Sequence, residues 1–148
     1  MTKHPTYKDC SVCDDWLIYS NFKAWLISQE QFHGSLVDLQ LDKDIIDPTN
    51  KVYSPDKCAF VGRLINSFVT DAGAIRGDYP LGVGKRSDGR FRSRCGNPFK
   101  KNQLCLGNFL TAEEAHEAWR KQKHIFACQL ASTVKDPRVA DALRVRYK

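Results

Sequence analysis

Apolar and polar positions repeat along this chain at two periods, and each change of period marks an element. Between Leu39 and Ile46 the period is two. Leu39, Leu41, Lys43 and Ile45 fall on one face, and Gln40, Asp42 and Asp44 on the other. A turn at Asp47-Pro48-Thr49-Asn50 and a second extended run follow. From Gly62 to Val69 the apolar positions Leu64, Ile65, Phe68 and Val69 recur at helical spacing. Strand, turn, strand and helix are therefore predicted over Leu41–Phe68, and this order carries Asp42 or Asp44 towards Asn66. Upstream, Phe22, Trp25 and Leu26 share a face of a helix predicted to start near Phe22, with Ser20 or Asn21 as its cap. With Trp16 they are read as core. Residues 71–79 are read as a linker around Gly73 and Gly77.

The second half predicts three short strands, Leu81–Lys85, Arg90–Cys95 and Leu104–Phe109, with a hairpin turn at Ser87-Asp88-Gly89. Arg90, Arg92 and Arg94 alternate with Phe91, Ser93 and Cys95, so three guanidiniums line one face of the sheet. The other face packs on a helix that begins at the capping box Thr111-Ala112-Glu113-Glu114. Ala115, Ala118, Trp119, Gln122, Phe126 and Leu130 approximate its inner face. The fold class expected is α+β, and the basic residues after Ser132 form a tail with room for a short helix.

Charge sharpens this division. Residues 1–79 carry a net of −3 and residues 80–148 a net of +9, within the overall +6. A basic half beside a mildly acidic one points to a polyanion, with double-stranded DNA as the expected partner. No apolar run is long enough to span a bilayer and no signal peptide is recognisable, so no membrane is expected. The six cysteines are then expected as reduced thiols. Cys10-x-x-Cys13 has half the spacing of a zinc site, and Cys58 would complete it only if the fold brings it there.

Two acids on one face of an apolar run repel, and a cation relieves that repulsion. Asp42 and Asn66 are the candidate ligands of one divalent ion. Asn66 is a poor helix-interior residue, either solvent-facing or a ligand. The DNA-binding candidates are Lys85, Arg86, Arg90, Arg92, Arg94, Lys100 and Lys101, since Arg bonds guanine in two places while Lys mostly grips phosphate.

The run Leu41-Asp42-Lys43-Asp44-Ile45, with Asn50-Lys51-Val52-Tyr53-Ser54-Pro55, Cys58-Ala59-Phe60-Val61 and Asn66, resembles the degenerate HNH homing-endonuclease family of bacteriophages. Cys13-x-x-Trp16 and the junction Arg76-Gly77-Asp78-Tyr79-Pro80 fit the same proteins. Gly82 to about Leu130, with Gly89-Arg90-Phe91, Leu106-Gly107-Asn108-Phe109 and Glu114-Ala115-His116-Glu117-Ala118-Trp119, is similar to the APETALA-type DNA-binding domain often fused to them. The resemblance implies an HNH-like ββα metal unit with a helical cap over residues 1–76, an APETALA-like three-stranded sheet on one helix over 77–132, and a basic tail over 133–148. It implies a monomeric phage endonuclease in the cytoplasm of the infected host, cutting or nicking double-stranded DNA with Mg²⁺ or Mn²⁺ held by Asp42 and Asn66. That family usually places His beside the acid. Here the position is Lys43 or Asp44, and none of the four histidines falls in the motif. The implied phosphodiester hydrolysis needs a deprotonated water and positive charge on the developing anion. Asp44 could orient or deprotonate that water, and Lys43 could do so only with a strongly lowered pKa and is otherwise a phosphate contact. The alternative is a sequence-specific DNA-binding protein with an inactive motif.

Overall fold

The structure, a computed structural model, describes residues 9–70 and 78–148. The described chain is α+β, with four α-helices and a three-stranded antiparallel sheet. Two compact units divide it: unit 1 is Met1–Val69 with Lys135–Ala142, and unit 2 is Thr70–Val134 with Leu143–Lys148. Among the described residues, no helix is long and apolar enough to cross a membrane.

In unit 1 the strands are short and pair out of chain order. β1 (Ser11–Val12) runs parallel to β3 (Val52–Tyr53), and β2 (Leu39–Asp42) runs antiparallel to β4 (Ala59–Gly62). The strand expected to reach Ile46 thus stops at Asp42, and its partner is not the run that follows the Asp47 turn. The reason is local. Oδ1 of Asp42 accepts from the N–H of Asp44 at 2.8 Å and of Ile45 at 2.7 Å, which bends the backbone out of the strand. Asn50 then staples the loop, its Nδ2 donating to the carbonyls of Lys43 at 2.7 Å and Val52 at 2.8 Å. α2 (Arg63–Val69) follows β4 directly and buries Ile65, Phe68 and Val69.

α1 (Tyr19–His33) begins three residues before the position expected. Its first flanking residue is Ile18, and Asn21 does not cap; its Nδ2 donates to the Asp15 carboxylate at 3.0 Å. Gly34, at φ 81°, ends the helix with its N–H on the Glu30 carbonyl at 2.8 Å. The core of unit 1 is aromatic. Trp16 packs on Trp25 and Phe22 with ring centroids 4.5 and 5.1 Å apart, and Trp25 stacks on Phe60 of β4 at 5.7 Å. Of these four rings Trp16 is buried and the others are half-buried, so Trp16 gains most, roughly 1.5–3 kcal/mol.

The basic stretch after Ser132 holds α4 (Pro137–Arg146), with Val139, Ala140 and Leu143 buried. Its first turn belongs to unit 1. Arg138 donates to the carbonyls of Pro55, Asp56 and Cys58 at 3.2, 3.3 and 3.2 Å and pairs with buried Asp136 at 2.8 Å. Burial alone would raise the Asp136 carboxyl, but the hydrogen bonds and charge of Arg138 hold it below the usual carboxylate range.

Unit 2 is built as the alternation predicts. β5 (Val83–Lys85), β6 (Phe91–Asn97) and β7 (Asn102–Phe109) form the sheet in that order, and α3 (Ala112–Ala131) covers one face. Thr111 caps α3, its hydroxyl accepting from Glu114 N–H at 3.2 Å. Ser93 and Cys95 point to α3 and are buried, and the Ser93 hydroxyl donates to the Ala115 carbonyl at 2.7 Å. Trp119 lies directly on Gly82, whose φ is 77°. A Cβ at that glycine would come within 2.1 Å of the Trp119 ring, and the positive φ strains any other residue. Gly82→Ala is therefore expected to destabilise unit 2 by at least about 2 kcal/mol. Amide exchange of β5–β7 in the intact chain measures this, and protection factors equal to the wild type would disprove the close approach.

Candidate nucleic-acid interface

The face of the sheet away from α3 is set by the pairing register. Gly84 lies opposite Arg92, and Arg92 opposite Asn108. A bulge between Ser93 and Arg94 shifts β7, so that Arg94 faces Cys105 and Gly96 faces Gln103. Arg92 and Arg94 thus stand side by side with bare backbone at Gly84 and Gly96. A groove of about 550 Å³ runs along β5, floored by Gly82 and Gly84 and walled by Arg86, Arg92, Arg94 and Gln103.

The charge pattern on this face is uneven. Arg86 pairs with Asp88 at 3.3 Å, as Arg120 pairs with Glu117 and Arg138 with Asp136. Among the described residues no carboxylate pairs with Arg92 or Arg94. The other candidates spread around them. Arg90 is exposed beside the β5–β6 turn. Lys85 lies opposite Phe91, on the alternate set of β5 positions from Gly84, and is exposed at the sheet edge. Lys100 and Lys101 sit in the β6–β7 turn, at the other end of β6 from Arg90. There Asn97 Oδ1 accepts from the N–H of Phe99 and Lys100, and Lys101 takes a φ of 52°.

The residues singled out in unit 1 come together only in part. Asn66 Nδ2 donates to Gln40 Oε1 at 2.5 Å, and Gln40 stands two positions before Asp42 on the same face of β2. Asp42 itself serves as the backbone cap described above. Burial pushes its carboxyl above the usual range, and the Asp44 carboxylate beside it adds to the rise. For Lys43, burial favours the neutral amine, but the bond to Asp44 at 3.0 Å outweighs it and holds the pKa above the ordinary value. That shift favours the charged ammonium of Lys43. Cys58 is fully buried, which raises its thiol and keeps it protonated. Among the described residues no three His, Cys, Asp or Glu side chains are grouped to hold a metal ion.

Over 60 residues the chain is 38% identical to an ethylene-responsive transcription factor of Arabidopsis thaliana, ERF117. The match takes in 40% of this chain and 18% of that protein, so the chain spans less than a fifth of the length of the relative it matches. No family model matches the sequence, and no solved structure matches it.

Asn108, Gln103 and Cys105 of the outer face were not among the DNA-binding candidates read from the sequence. The polar position of Asn108 between Gly107 and Phe109 was a usable signal for one face of β7. The bulge that turns Cys105 to Arg94 had no such signal.

The raised Asp42 pKa has a stability consequence of fixed sign. A carboxyl whose folded pKa lies above its unfolded value disfavours folding once ionised, so its contribution improves as pH falls through the folded pKa. Asp42→Asn keeps an oxygen for the two N–H donors and removes the charge. It is expected to match or exceed the wild type in urea unfolding at pH 7, with the difference vanishing below about pH 4. A variant less stable at every pH would show that ionised Asp42 supports the fold.

Proposed function

We propose that the chain binds double-stranded DNA through the outer face of the β5–β7 sheet. One observation carries this reading: Arg92 and Arg94 project from the same face with no acid beside them among the described residues. Two like charges about 7 Å apart repel by roughly 0.5 kcal/mol even at the dielectric of water, and a polyanion turns that cost into attraction. A twisted antiparallel ribbon fits the DNA major groove, where arginine can bond guanine O6 and N7. The groove along β5 leaves backbone room beside those side chains. The partial likeness to a protein named as a transcription factor supports the same partner. The net charge of +9 in residues 80–148 supplies the long-range attraction.

The affinity for a labelled random-sequence duplex should fall steeply with salt. Arg92→Ala combined with Arg94→Ala should weaken binding by about tenfold or more and reduce the salt slope by about two. Anisotropy titrations at several salt concentrations measure both. An unchanged affinity in the double variant would remove the sheet face from consideration.

Unit 1 is proposed to hold no nuclease activity, so supercoiled plasmid should be bound and left intact in Mg²⁺ or Mn²⁺. Metal-dependent nicking that Asp42→Ala abolishes would replace this reading with that of an HNH-type endonuclease.

A further inference from the structure

The outer face of unit 2 carries arginines of two kinds. Among the described residues no acid stands beside Arg92 or Arg94, whereas Arg86 is held from two sides. Its Nε donates to Oδ2 of Asp88 at 3.3 Å, and its Nη1 donates to Oδ1 of Asn108 at 3.3 Å. Arg86 follows β5 and Asn108 belongs to β7, with β6 between them. Arg86 lies opposite Arg90 and Asn108 opposite Arg92, so the bond crosses two strand spacings, roughly 9–10 Å, and two positions along β6, which needs an extended Arg86 side chain.

Both acceptors are themselves fixed. Oδ1 of Asp88 accepts from Arg90 N–H at 3.0 Å. The turn around it is closed by Arg86 N–H on the Arg90 carbonyl at 2.8 Å and Gly89 N–H on the Arg86 carbonyl at 3.1 Å. Asn108 is paired in register with Arg92 at the centre of the sheet. A guanidinium has five N–H donors in a rigid fork. Two are engaged here, and those on Nη2 stay available to a ligand.

Ordering a long arginine side chain costs rotamer freedom. For Arg86 these two bonds restrict it before any ligand arrives. A guanidinium in a fixed plane can distinguish one base edge from another, while a mobile one follows phosphates of any sequence.

We propose that Asn108, with Asp88, is a positioning residue that locks the Arg86 guanidinium and so sets DNA sequence preference rather than affinity. The proposal rests on the reading of the sheet face as a DNA-binding surface. It divides that face into a specificity arginine, Arg86, and two affinity arginines, Arg92 and Arg94.

The test uses the full chain and a randomised 20-base-pair duplex pool. The preferred duplex is selected with the wild type, and the ratio of Kd for random to selected duplex is then measured. Asn108→Leu keeps the shape and removes the acceptor. It should lower the ratio at least fivefold while the random-duplex Kd changes less than twofold. Asn108→Asp restores the acceptor and should keep the ratio, even where its charge weakens both affinities. In the free protein, the Arg86 Nη1–H group should give a protected signal in ¹H–¹⁵N spectra at low temperature that Asn108→Leu weakens and Asn108→Asp retains. Circular dichroism confirms that each variant folds. A ratio unchanged in Asn108→Leu, or two Kd values that rise together in it, overturns the proposal and leaves the DNA reading standing. A wild type that binds duplex without preference does the same. A wild type that binds no duplex overturns both.

Discussion

Trp119 resting on the bare backbone of Gly82 is the contact on which unit 2 depends. It brings α3 against β5 at a distance that only glycine allows. The buried bond from Ser93 to the Ala115 carbonyl and the 3.0 Å contact of His116 Nδ1 with the Leu81 carbonyl lie along the same seam. Once α3 takes that face, the alternate positions of all three strands must turn outward. Arg92, Arg94, Cys105, Gln103 and Asn108 are thereby displayed together, though they come from two strands and from both sides of a hairpin turn. Packing on one side of the sheet decides the chemistry offered by the other.

Unit 1 solves a different problem. Its strands are two to four residues long and could not stand alone. Side chains close the gaps: Asp42 and Asn50 tie the loop between β2 and β3, and the aromatic cluster around Trp16 and Trp25 seats α1 on β4. Arg138 occupies three carbonyls of the loop before β4 with its charge answered by Asp136. Asp42 and Asn50, singled out in the sequence for their chemistry, both hold backbone groups of this loop. An aspartate whose oxygen caps two backbone N–H groups is doing structural work that a turn commonly asks of it.

Much of unit 2 was legible in the chain itself. Period-two alternation around Arg92 and Arg94, the Asp88-Gly89 turn and the Thr111 cap are local signals, and each survives into the structure within a few residues. Unit 1 was less legible because its pairings are non-local. A strand as short as Val52–Tyr53 finds its partner at Ser11–Val12, and nothing within either run announces the other. The helix starts earlier than its cap residues suggest, because Ile18 flanks the first turn and offers no side-chain cap for the sequence to display.

The sequence by itself determined the α+β class, the separation of charge, the arginine face of β6 and the amphipathic helix behind it. These follow from residue type and spacing within one element, where sterics and burial act over a few positions. The tertiary structure alone decided which strands pair and that the bulge after Ser93 sets Cys105 against Arg94. It also decided that Asp42 is a cap with a raised pKa, and that Asn108 reaches Arg86 across an intervening strand. Those outcomes depend on the register between distant segments, and register is a property of the assembled sheet rather than of any stretch of chain.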